Sequence, residues 1–272
     1  LLKRLGIARI QDLDTLVESL KLLHVHGPLK GNRLCSMSCS GGEASLMADT
    51  AIGRDVVFPE LTSEQHDSVR ATVHDLVSVS NPLDYHTFAW NKEEDLFATY
   101  SAMLACGFDL SMLVLDFPRE DRCNLETWGP AVNAITRAVD KTRAPTAVVA
   151  SLPESLPEQI ATDLVSMGVA PLCGIRQALD AAQAASQIGG AWRRPLFERA
   201  LPGPGPHLEQ PVENLDEAHA KGEIESFGVG VPRGDCVTSV GGLKNAAESL
   251  TYPLVLKACD AALLHKSDAG AV

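Results

Sequence analysis

The sequence predicts an α/β protein in which a doubly wound parallel sheet is followed by the start of a second domain. Apolar runs of strand length alternate with amphipathic helical segments about five times between residues 32 and 194. The runs are apolar at almost every position, which is typical of parallel strands covered by helices on both faces. The crossover lengths favour a flavodoxin-like layout.

The composition is that of an ordinary globular protein. Of 272 residues, 45% are hydrophobic and 21% are charged, which argues against intrinsic disorder. The net charge of -12 would repel phosphate backbones and anionic lipids, so neither nucleic acid nor a membrane is an expected partner. No uncharged apolar stretch reaches the ~18 residues of a membrane span, and no leader-like segment opens the chain. We therefore expect a cytoplasmic protein.

Residues 1–31 are predicted to be a lead-in helix or the end of a preceding domain. An apolar face at helical spacing follows Asp12, which supplies favourable charge to the first turn. This face comprises Leu13, Leu16, Val17, Leu20 and Leu23. The pattern predicts a short helix with one apolar face.

The main domain is predicted to span residues 32–194. Strands are expected at 33–38, 77–80, 110–117, 146–150 and 169–172. The first helix begins after Ser40-Gly41-Gly42 and ends at Gly53, and a capping box of Thr62 and Gln65 begins the next. The inward residues expected on later helices are Val69, Val73 and Leu76, then Leu96, Tyr100 and Met103, then Trp128, Val132, Ile135 and Val139. Two further helices are expected at 157–167 and 174–188.

A change in composition predicts a domain boundary after the sheet. Residues 195–213 are rich in proline and glycine, which suits an extended linker. In the second domain, residues 214–272, Asn214 and Glu217 are expected to cap a helix that ends at Gly228. A helix at 240–250 and a strand at 254–257 are expected to follow.

The cysteines and histidines predict no metal centre. Seven cysteines are scattered without a CxxC pair, so neither a disulfide framework nor a zinc site is indicated. His24 and His26 lack acidic or thiol partners at matching spacing and are expected to be surface residues.

The first candidate site is the turn Ser40-Gly41-Gly42, between a strand and a helix. Ligands of open parallel sheets bind at the carboxyl ends of the strands, where helix N-termini present free amides. Two glycines let a phosphate approach those amides, although a tight turn that merely needs glycine is an equally good interpretation. A nucleophile elbow is disfavoured because Ser38 stands where that motif needs glycine.

Two further loops carry candidate residues. Asn81 and Asp84 could orient a histidine or bind a phosphoryl group, although an Asx turn around Pro82 is the commoner role, and His86 is interpreted as structural. Lys257 closes an apolar run and could pair with nucleotide phosphates, or it could simply reach solvent. His265, beside Lys266, could accept a phosphoryl group, although a solvated loop is the default interpretation.

Together these stretches resemble the NDP-forming acyl-CoA synthetases of the succinyl-CoA synthetase superfamily, typified by ADP-forming acetate-CoA ligase. Within that family, the stretch that runs into residues 81–88 is closest to proteins labelled feruloyl-CoA synthetase-like. The specific stretches are Ser40-Gly41-Gly42 with Asp49, Asn81-Pro82-Leu83-Asp84, Gly228-Val229-Gly230-Val231-Pro232, Tyr252 to Lys257, and His265-Lys266-Ser267-Asp268. The last three resemble the start of an ATP-grasp domain.

The resemblance implies a ligase that joins a small carboxylic acid to CoA with ATP, through an acyl phosphate and a phosphohistidine enzyme. It implies that Ser40-Gly41-Gly42 faces the phosphohistidine, that Lys257 contacts ATP phosphates and that His265 relays the phosphoryl group. The phosphorylated histidine, the CoA site and the Mg ligands are expected in other domains of the same protein. This chain alone is therefore expected to be inactive, and a homo-oligomer is expected.

The resemblance is incomplete, and two other functions remain open. Ala269-Gly270-Ala271-Val272 stands where the family has Gly-Gly-Val after the histidine motif. A similar region can be a non-catalytic regulatory part of a protein lysine acetyltransferase, and an isolated flavodoxin-like module could bind flavin. The acyl substrate is not predicted.

Overall fold

The computed structural model describes residues 2–119, 121–194, 214–263 and 265–272. The chain divides into two compact units, Leu1–Leu201 and Pro202–Val272. The predicted linker, residues 195–213, lies outside the described residues. None of the helices within the described ranges combines the length and the hydropathy that a membrane span needs.

The first unit is built on a parallel sheet of five strands in the order β2-β1-β3-β4-β5. This is the strand order of flavodoxin-like folds, so the predicted fold class is confirmed. The strands are β1 Leu34–Ser38, β2 Leu83–Asp84, β3 Leu110–Val114, β4 Thr146–Ala150 and β5 Ala170–Cys173.

Helices connect the strands and cover both faces of the sheet. In the first unit they are α1 Leu2–Leu5, α2 Leu13–His26, α3 Gly41–Ala51, α4 Ser63–Arg70, α5 Glu93–Leu104, α6 Gly129–Thr142, α7 Glu158–Ser166 and α8 Ile175–Trp192. Single 3-10 turns lie at Thr87–Ala89, Glu126–Trp128 and Pro153–Ser155. The second unit contains α9 Glu217–Ser226 and α10 Val240–Ser249.

Two hydrophobic cores lie on opposite faces of the sheet. Leu113 and Val148 pack into the cluster beneath α4, α5, α6 and α7. Their strand neighbours Met112 and Val149 pack into the other cluster, beneath α2, α3 and α8. Because successive side chains of a strand point to opposite faces, a strand buried on both sides must be apolar throughout. This explains the continuous apolar runs of the sequence.

The capping box that begins α4 forms as predicted. The backbone amide of Gln65 donates to Thr62 Oγ1 (3.3 Å), and the backbone amide of Thr62 donates to the side-chain oxygen Oε1 of Gln65 (2.9 Å). The helix ends at Arg70, however, so the predicted inward residues Val73 and Leu76 lie beyond it. Leu76 is 74% exposed, which corrects its predicted burial.

The edge strand lies after Pro82 and not before it. Residues 77–80 were expected to be the strand, but Leu83–Asp84 pair with Met37 and Ser38 of β1 instead. A proline has no amide hydrogen to donate to a neighbouring strand, which favours pairing on its far side.

The face of α2 that packs on the sheet is not its most apolar one. Thr15, Glu18, Ser19 and Leu22 are buried. Of the apolar face, Leu13, Leu16, Val17 and Leu20 are 78%, 40%, 53% and 57% exposed, and Leu23 packs partly against the core. A polar anchor explains the difference: the carboxylate of Glu18 accepts from the amide of Cys173 at the end of β5 (2.9 Å) and pairs with Lys21 (2.6 Å).

The second unit has little internal packing. None of the residues described between 214 and 272 is buried, and none forms a strand, including the predicted strand 254–257. The N-cap of α9 is Asp216, which accepts from the His219 amide (2.9 Å), and not the predicted Asn214. The helix ends at Ser226, two residues before the predicted Gly228.

Candidate functional site

The glycine turn lies at the carboxyl edge of the sheet, between β1 and α3. Ser40 is the N-cap of α3 and has extended backbone angles, φ -137° and ψ 126°, without a side-chain capping bond. The Ser38 hydroxyl holds the turn by donating to the Ser40 carbonyl (2.9 Å). The amides of Gly41 and Gly42 have no hydrogen-bond partner among the described residues. They are therefore free to bind an anion.

The two glycines are required to different degrees. A Cβ at Gly41 would lie 3.1 Å from Oδ2 of Asp84, which is tighter than an ordinary contact. A Cβ at Gly42 would lie 3.5 Å from the Ser40 hydroxyl, which is an ordinary van der Waals distance. Gly41 therefore lets the Asp84 carboxylate approach the start of α3.

Asp84 forms an Asx turn and also faces His86. Its Oδ1 accepts from the His86 amide (2.9 Å), and its Oδ2 lies 3.5 Å from His86 Nε2. His86 adopts a left-handed φ of 59°, which is uncommon for a residue with a side chain. Asp84 therefore builds the Asx turn, and its carboxylate lies close to the ring of His86 beside the glycine turn.

The Asn81 side chain is engaged by the edge of the sheet. Its amide nitrogen donates to the carbonyls of Leu34 (2.9 Å) and Pro59 (3.0 Å). Its oxygen accepts from the amide of Ser36 (3.2 Å). These bonds occupy the groups with which Asn81 would bind a phosphoryl group, so the geometry favours the structural interpretation.

Two carboxylic acids that were not predicted lie beside the glycine turn. Glu43 is in the first turn of α3, and its Oε2 is buried without a hydrogen-bond partner among the described residues. Burial raises the pKa of Glu43 to about 7, and the nearby charges of Asp116 and Asp84 add to the effect. Asp116 follows β3 and accepts from the Ser151 amide (2.7 Å) and the Ser151 hydroxyl.

These acids decide what the turn can bind. With Glu43 ionised, three carboxylates would repel an anion that approaches the free amides. With Glu43 protonated, the negative charge of the site is smaller, and the carboxylic acid can donate a hydrogen bond to the anion. Burial and Glu43 also raise the pKa of the neighbouring Cys39 thiol to about 11, which disfavours a thiolate nucleophile. Across the described ranges, no group of three or more acidic, histidine or cysteine residues could hold a metal ion.

A signal for both acids was present in the sequence. Asp116 is the one charged residue in the apolar run 110–117, and it lies two residues beyond the end of β3, as Ser40 lies two residues beyond the end of β1. Glu43 immediately follows the two glycines. Sequence reasoning noted the neighbouring residues but had no basis for placing the ends of β1, β2 and β3 side by side until the strand order was known.

The candidate lysine of the second unit lies in a cluster around one carboxylate. Glu217, in the first turn of α9, pairs with Lys221 (2.9 Å), Lys257 (3.0 Å) and Lys266 (3.0 Å). Their hydrogen bonds, that of Lys221 first, lower the pKa of Glu217 to about 2. Lys257 and Lys266, far apart in the chain, are thereby held at one carboxylate.

A pocket of about 460 Å³ adjoins this cluster, and Lys257 and Lys266 line it with Glu217 and Asp260. His265 is exposed and does not belong to the pocket lining. Its imidazole makes no hydrogen bond or ion pair with the described residues. It is therefore free to meet a group outside the pocket.

Comparison with known proteins covers both units. Residues 207–272 match the family model of the ATP-grasp domain. The whole chain is 26% identical to a trans-feruloyl-CoA synthase, FCS1, from an unknown prokaryotic organism, and it spans 38% of that protein.

Three solved structures share the fold. PH0766 from Pyrococcus horikoshii OT3 has a TM-score of 0.57 and 20% identity, over 68% of this chain and 42% of its own. The acetyl-coenzyme A synthetase 1 of Candidatus Korarchaeum cryptofilum, described as dinucleotide-forming, has a TM-score of 0.57 and 17% identity, over 70% of this chain and 40% of its own. The latter is also solved with phosphate and ADP.

The resemblance to NDP-forming acyl-CoA synthetases is confirmed. The chain spans about two fifths of the length of the relatives it matches. The segment that matches the ATP-grasp model includes both Lys257 and His265. The structure brings Ser40, Gly41, Gly42 and Asp84 together at one sheet edge, whereas Lys257 and His265 lie in the second unit.

Proposed function

We propose that this chain is part of an ADP-forming acyl-CoA synthetase, which joins a small carboxylic acid to CoA with ATP. The reaction would pass through an acyl phosphate and a phosphohistidine on the enzyme. Similarity to a CoA synthase along the whole chain and a match to the ATP-grasp model support this function. Both favour it over a regulatory region of an acetyltransferase or a flavin-binding module. The phosphohistidine, the CoA site and the Mg ligands would belong to other parts of the full-length protein.

The glycine turn carries the proposal. Gly41 and Gly42 present free amides at the N-terminus of α3, where the helix dipole adds partial positive charge. In the proposed reaction, the phosphohistidine of a neighbouring domain docks there, and its phosphoryl oxygens accept from these amides. The turn thus stabilises the phosphoryl group during its transfer, without a metal ligand from this chain.

Glu43 would control the charge of this docking site. Its pKa of about 7 means that a substantial fraction is neutral at physiological pH. The neutral acid can donate a hydrogen bond to a phosphoryl oxygen, whereas the carboxylate would repel it. Asp116 is held by Ser151 and would remain in place during docking.

Lys257 and His265 would serve the nucleotide side of the reaction. Lys257 would exchange the carboxylate of Glu217 for ATP phosphates, since both are anionic partners of an ammonium. His265 would relay the phosphoryl group between the nucleotide site and the acyl site, for which its exposure and its freedom from ion pairs are suited. A homo-oligomeric assembly remains a prediction.

Phosphorylation of the full-length protein that contains this chain tests the proposal. Incubation with labelled ATP and Mg should produce protein phosphate that is acid-labile and base-stable, as phosphohistidine is. Lys257→Met should abolish labelling from ATP. Lys221→Met is the matched control, because Lys221 contacts the same carboxylate but does not line the pocket. If the wild-type protein acquired no label from ATP, the phosphohistidine mechanism would be refuted.

The relay role of His265 needs a separate test. His265→Asn should slow labelling from ATP and leave labelling by acyl phosphate intact if the phosphohistidine itself lies elsewhere. Equal rates from ATP in the variant and the wild type would refute the relay. Formation of acyl-CoA from acetate, propionate and hydroxycinnamates would then identify the acyl substrate.

A further inference from the structure

A second pocket, of about 390 Å³, lies on the face of the sheet covered by α2, α3 and α8. It is formed by the start of α2, the loop after α3 and the side of α8. The glycine turn is at the beginning of α3, and this pocket is at its end. Since α3 has eleven residues, the two sites are roughly 16 Å apart along the helix. The pocket is therefore distinct from the proposed phosphohistidine site.

The lining of the pocket is positively charged in a strongly acidic protein. Three arginines, Arg9, Arg54 and Arg176, line it together with a single carboxylate, Asp180. The whole chain has a net charge of -12. Local positive charge of this kind attracts anions.

The three arginines differ in how much of their hydrogen-bonding capacity is free. Arg54 is held by Asp180 through two bonds (2.7 and 3.3 Å) and by the Thr50 carbonyl. Arg176 makes one contact, with Asp12 (3.2 Å). Arg9 has no ion pair or hydrogen bond within the described part of the chain. Arg9 and Arg176 are thus available to a ligand, while Arg54 is fixed as part of the wall.

A buried hydroxyl provides an independent indication of a ligand. Thr15 lines the pocket and is only 2% exposed, yet its Oγ1 has no hydrogen-bond partner among the described residues. Buried hydroxyls are nearly always hydrogen-bonded, because leaving one unsatisfied costs free energy. The neighbouring residues bond to the backbone of Thr15 and not to its hydroxyl. The carboxylate of Asp12 accepts from the Thr15 backbone amide (2.8 Å), and the Ser19 hydroxyl donates to the Thr15 carbonyl. The hydroxyl therefore has no partner within the described part of the chain, and the residue that carries it lines the pocket.

We propose that this pocket binds a small organic phosphate monoester. The guanidinium groups of Arg9 and Arg176 bind the phosphoryl group, and the Thr15 hydroxyl donates to it. With Asp12, which pairs with Arg176, the three lining arginines face two carboxylates, so a net positive charge remains that a phosphate monoester, with a charge of about -2 near neutral pH, would offset. The pocket exceeds the size of inorganic phosphate, and Ile10, Ile52 and Ala184 offer an apolar wall to the organic part.

Ligand-induced stabilisation tests this proposal on the 272-residue chain. Glycerol 3-phosphate should raise the melting temperature in a saturable way at constant ionic strength, because it binds only the folded state. Inorganic phosphate should bind several-fold more weakly, since it has no organic part to fill the remainder of the pocket. Equal binding of the two probes would overturn the assignment to an organic phosphate, and the absence of saturable binding would overturn the site.

Variants locate the binding. Arg9→Gln and Arg176→Gln should each weaken glycerol 3-phosphate by about tenfold or more, as expected for the loss of a charge-assisted contact. Arg143→Gln is the control, because Arg143 is exposed and pairs with Asp140 on α6, beneath the other face of the sheet. Undiminished binding in Arg9→Gln and Arg176→Gln would refute the pocket as the site.

Thr15→Val provides a second measure that does not depend on charge. The variant keeps the shape of the side chain and removes a hydroxyl that has no protein partner, so the unliganded chain should be as stable as the wild type or more so. Its affinity for glycerol 3-phosphate should fall several-fold. A variant that folds normally and binds as tightly as the wild type would contradict the role of Thr15. None of these outcomes depends on phosphohistidine labelling.

Discussion

The two candidate sites of this chain are held in place by different forces. The glycine turn lies at the end of β1, a fully buried strand that packs against helices on both faces of the sheet. The lysine cluster of the second unit lies among residues of which none is buried in the described ranges, and it is organised by ion pairs to Glu217. Packing positions the first site, and electrostatic contacts position the second.

The two ways of positioning give the sites different properties. Packing is insensitive to salt and positions groups to within a fraction of an ångström, which suits a site that must meet a phosphohistidine from another domain. Exposed ion pairs are weak and screened by salt, so the lysines can exchange Glu217 for a nucleotide at small cost. Each arrangement therefore fits its proposed step.

Truncation of a core residue should give the largest contrast. Leu113 is 0% exposed and Leu256 is 65% exposed. Leu113→Ala should destabilise the first unit by about 2–5 kcal/mol, whereas Leu256→Ala should change stability by less than about 0.5 kcal/mol. Urea unfolding followed by far-UV circular dichroism measures both units, and tryptophan fluorescence reports on the first unit alone, because Trp90, Trp128 and Trp192 all lie there. If both substitutions changed the free energy of unfolding by less than about 0.5 kcal/mol, packing would not be what positions the first site.

The charge state of Glu43 should give the next largest effect. Its pKa is raised from 4.5 to about 7 in the folded protein, so between these values the native state binds more protons than the unfolded chain; stability is therefore lost as pH rises from about 4.5 through 7, and the loss levels off once Glu43 is ionised in both states. Glu43→Gln should remove this loss and stabilise the protein by about 1–2 kcal/mol at pH 8, allowing for partial solvent screening. The gain should be smaller at pH 5, where Glu43 is mostly protonated.

Urea unfolding at the two pH values measures the Glu43 effect. Glu64→Gln is the control, because Glu64 occupies the first turn of α4 and is exposed. A gain for Glu43→Gln that does not change between pH 5 and pH 8 would show that its carboxyl is not abnormally protonated.

The two glycines of the turn should respond differently to alanine. Gly42→Ala meets only an ordinary contact and should be neutral or stabilising by up to about 1 kcal/mol, because alanine restricts the unfolded chain. Gly41→Ala brings a methyl group within 3.1 Å of Asp84 and should be less stable than Gly42→Ala by about 0.5–1 kcal/mol. Thermal unfolding of the pair provides the measurement, and equal stability would mean that Asp84 is not held against the turn.

Removal of the carboxylate that Lys257 and Lys266 share should give the smallest effect, a modest rise in the reactivity of the two lysines. Glu217→Gln removes the common partner of Lys257 and Lys266, so an amine-acylating reagent should modify both about twofold to threefold faster. Lys244, on α10, makes no ion pair within the described ranges and provides the control. Mass spectrometry measures the rates, and 0.5 M salt should narrow the difference between variant and wild type because it screens these pairs (~4 Å Debye length). Unchanged rates at low salt would show that Glu217 does not hold the lysines.

Local signals in the sequence accounted for most of the first unit. The apolar runs at 110–117 and 146–150 and the capping box at Thr62 are local patterns, and the corresponding strands and helix form. Sequence-based prediction failed where a contact between residues far apart in the chain determines which face of an element is buried. The buried face of α2 depends on a bond from Glu18 to the end of β5, which no helical period reveals.

The alternation of strands and helices, the glycine turn and the family resemblance could be predicted from the sequence, because they depend on local spacing and residue type. The proximity of Glu43, Asp84 and Asp116 at one sheet edge became visible only in the folded chain, since the strand order places β2 and β3 on either side of β1. The same holds for the pocket at Arg9, Thr15 and Arg176, whose residues come from the segment before α2, from the start of α2 and from α8. Burial and electrostatic coupling act through space, and the distances that govern them exist only once the chain is folded.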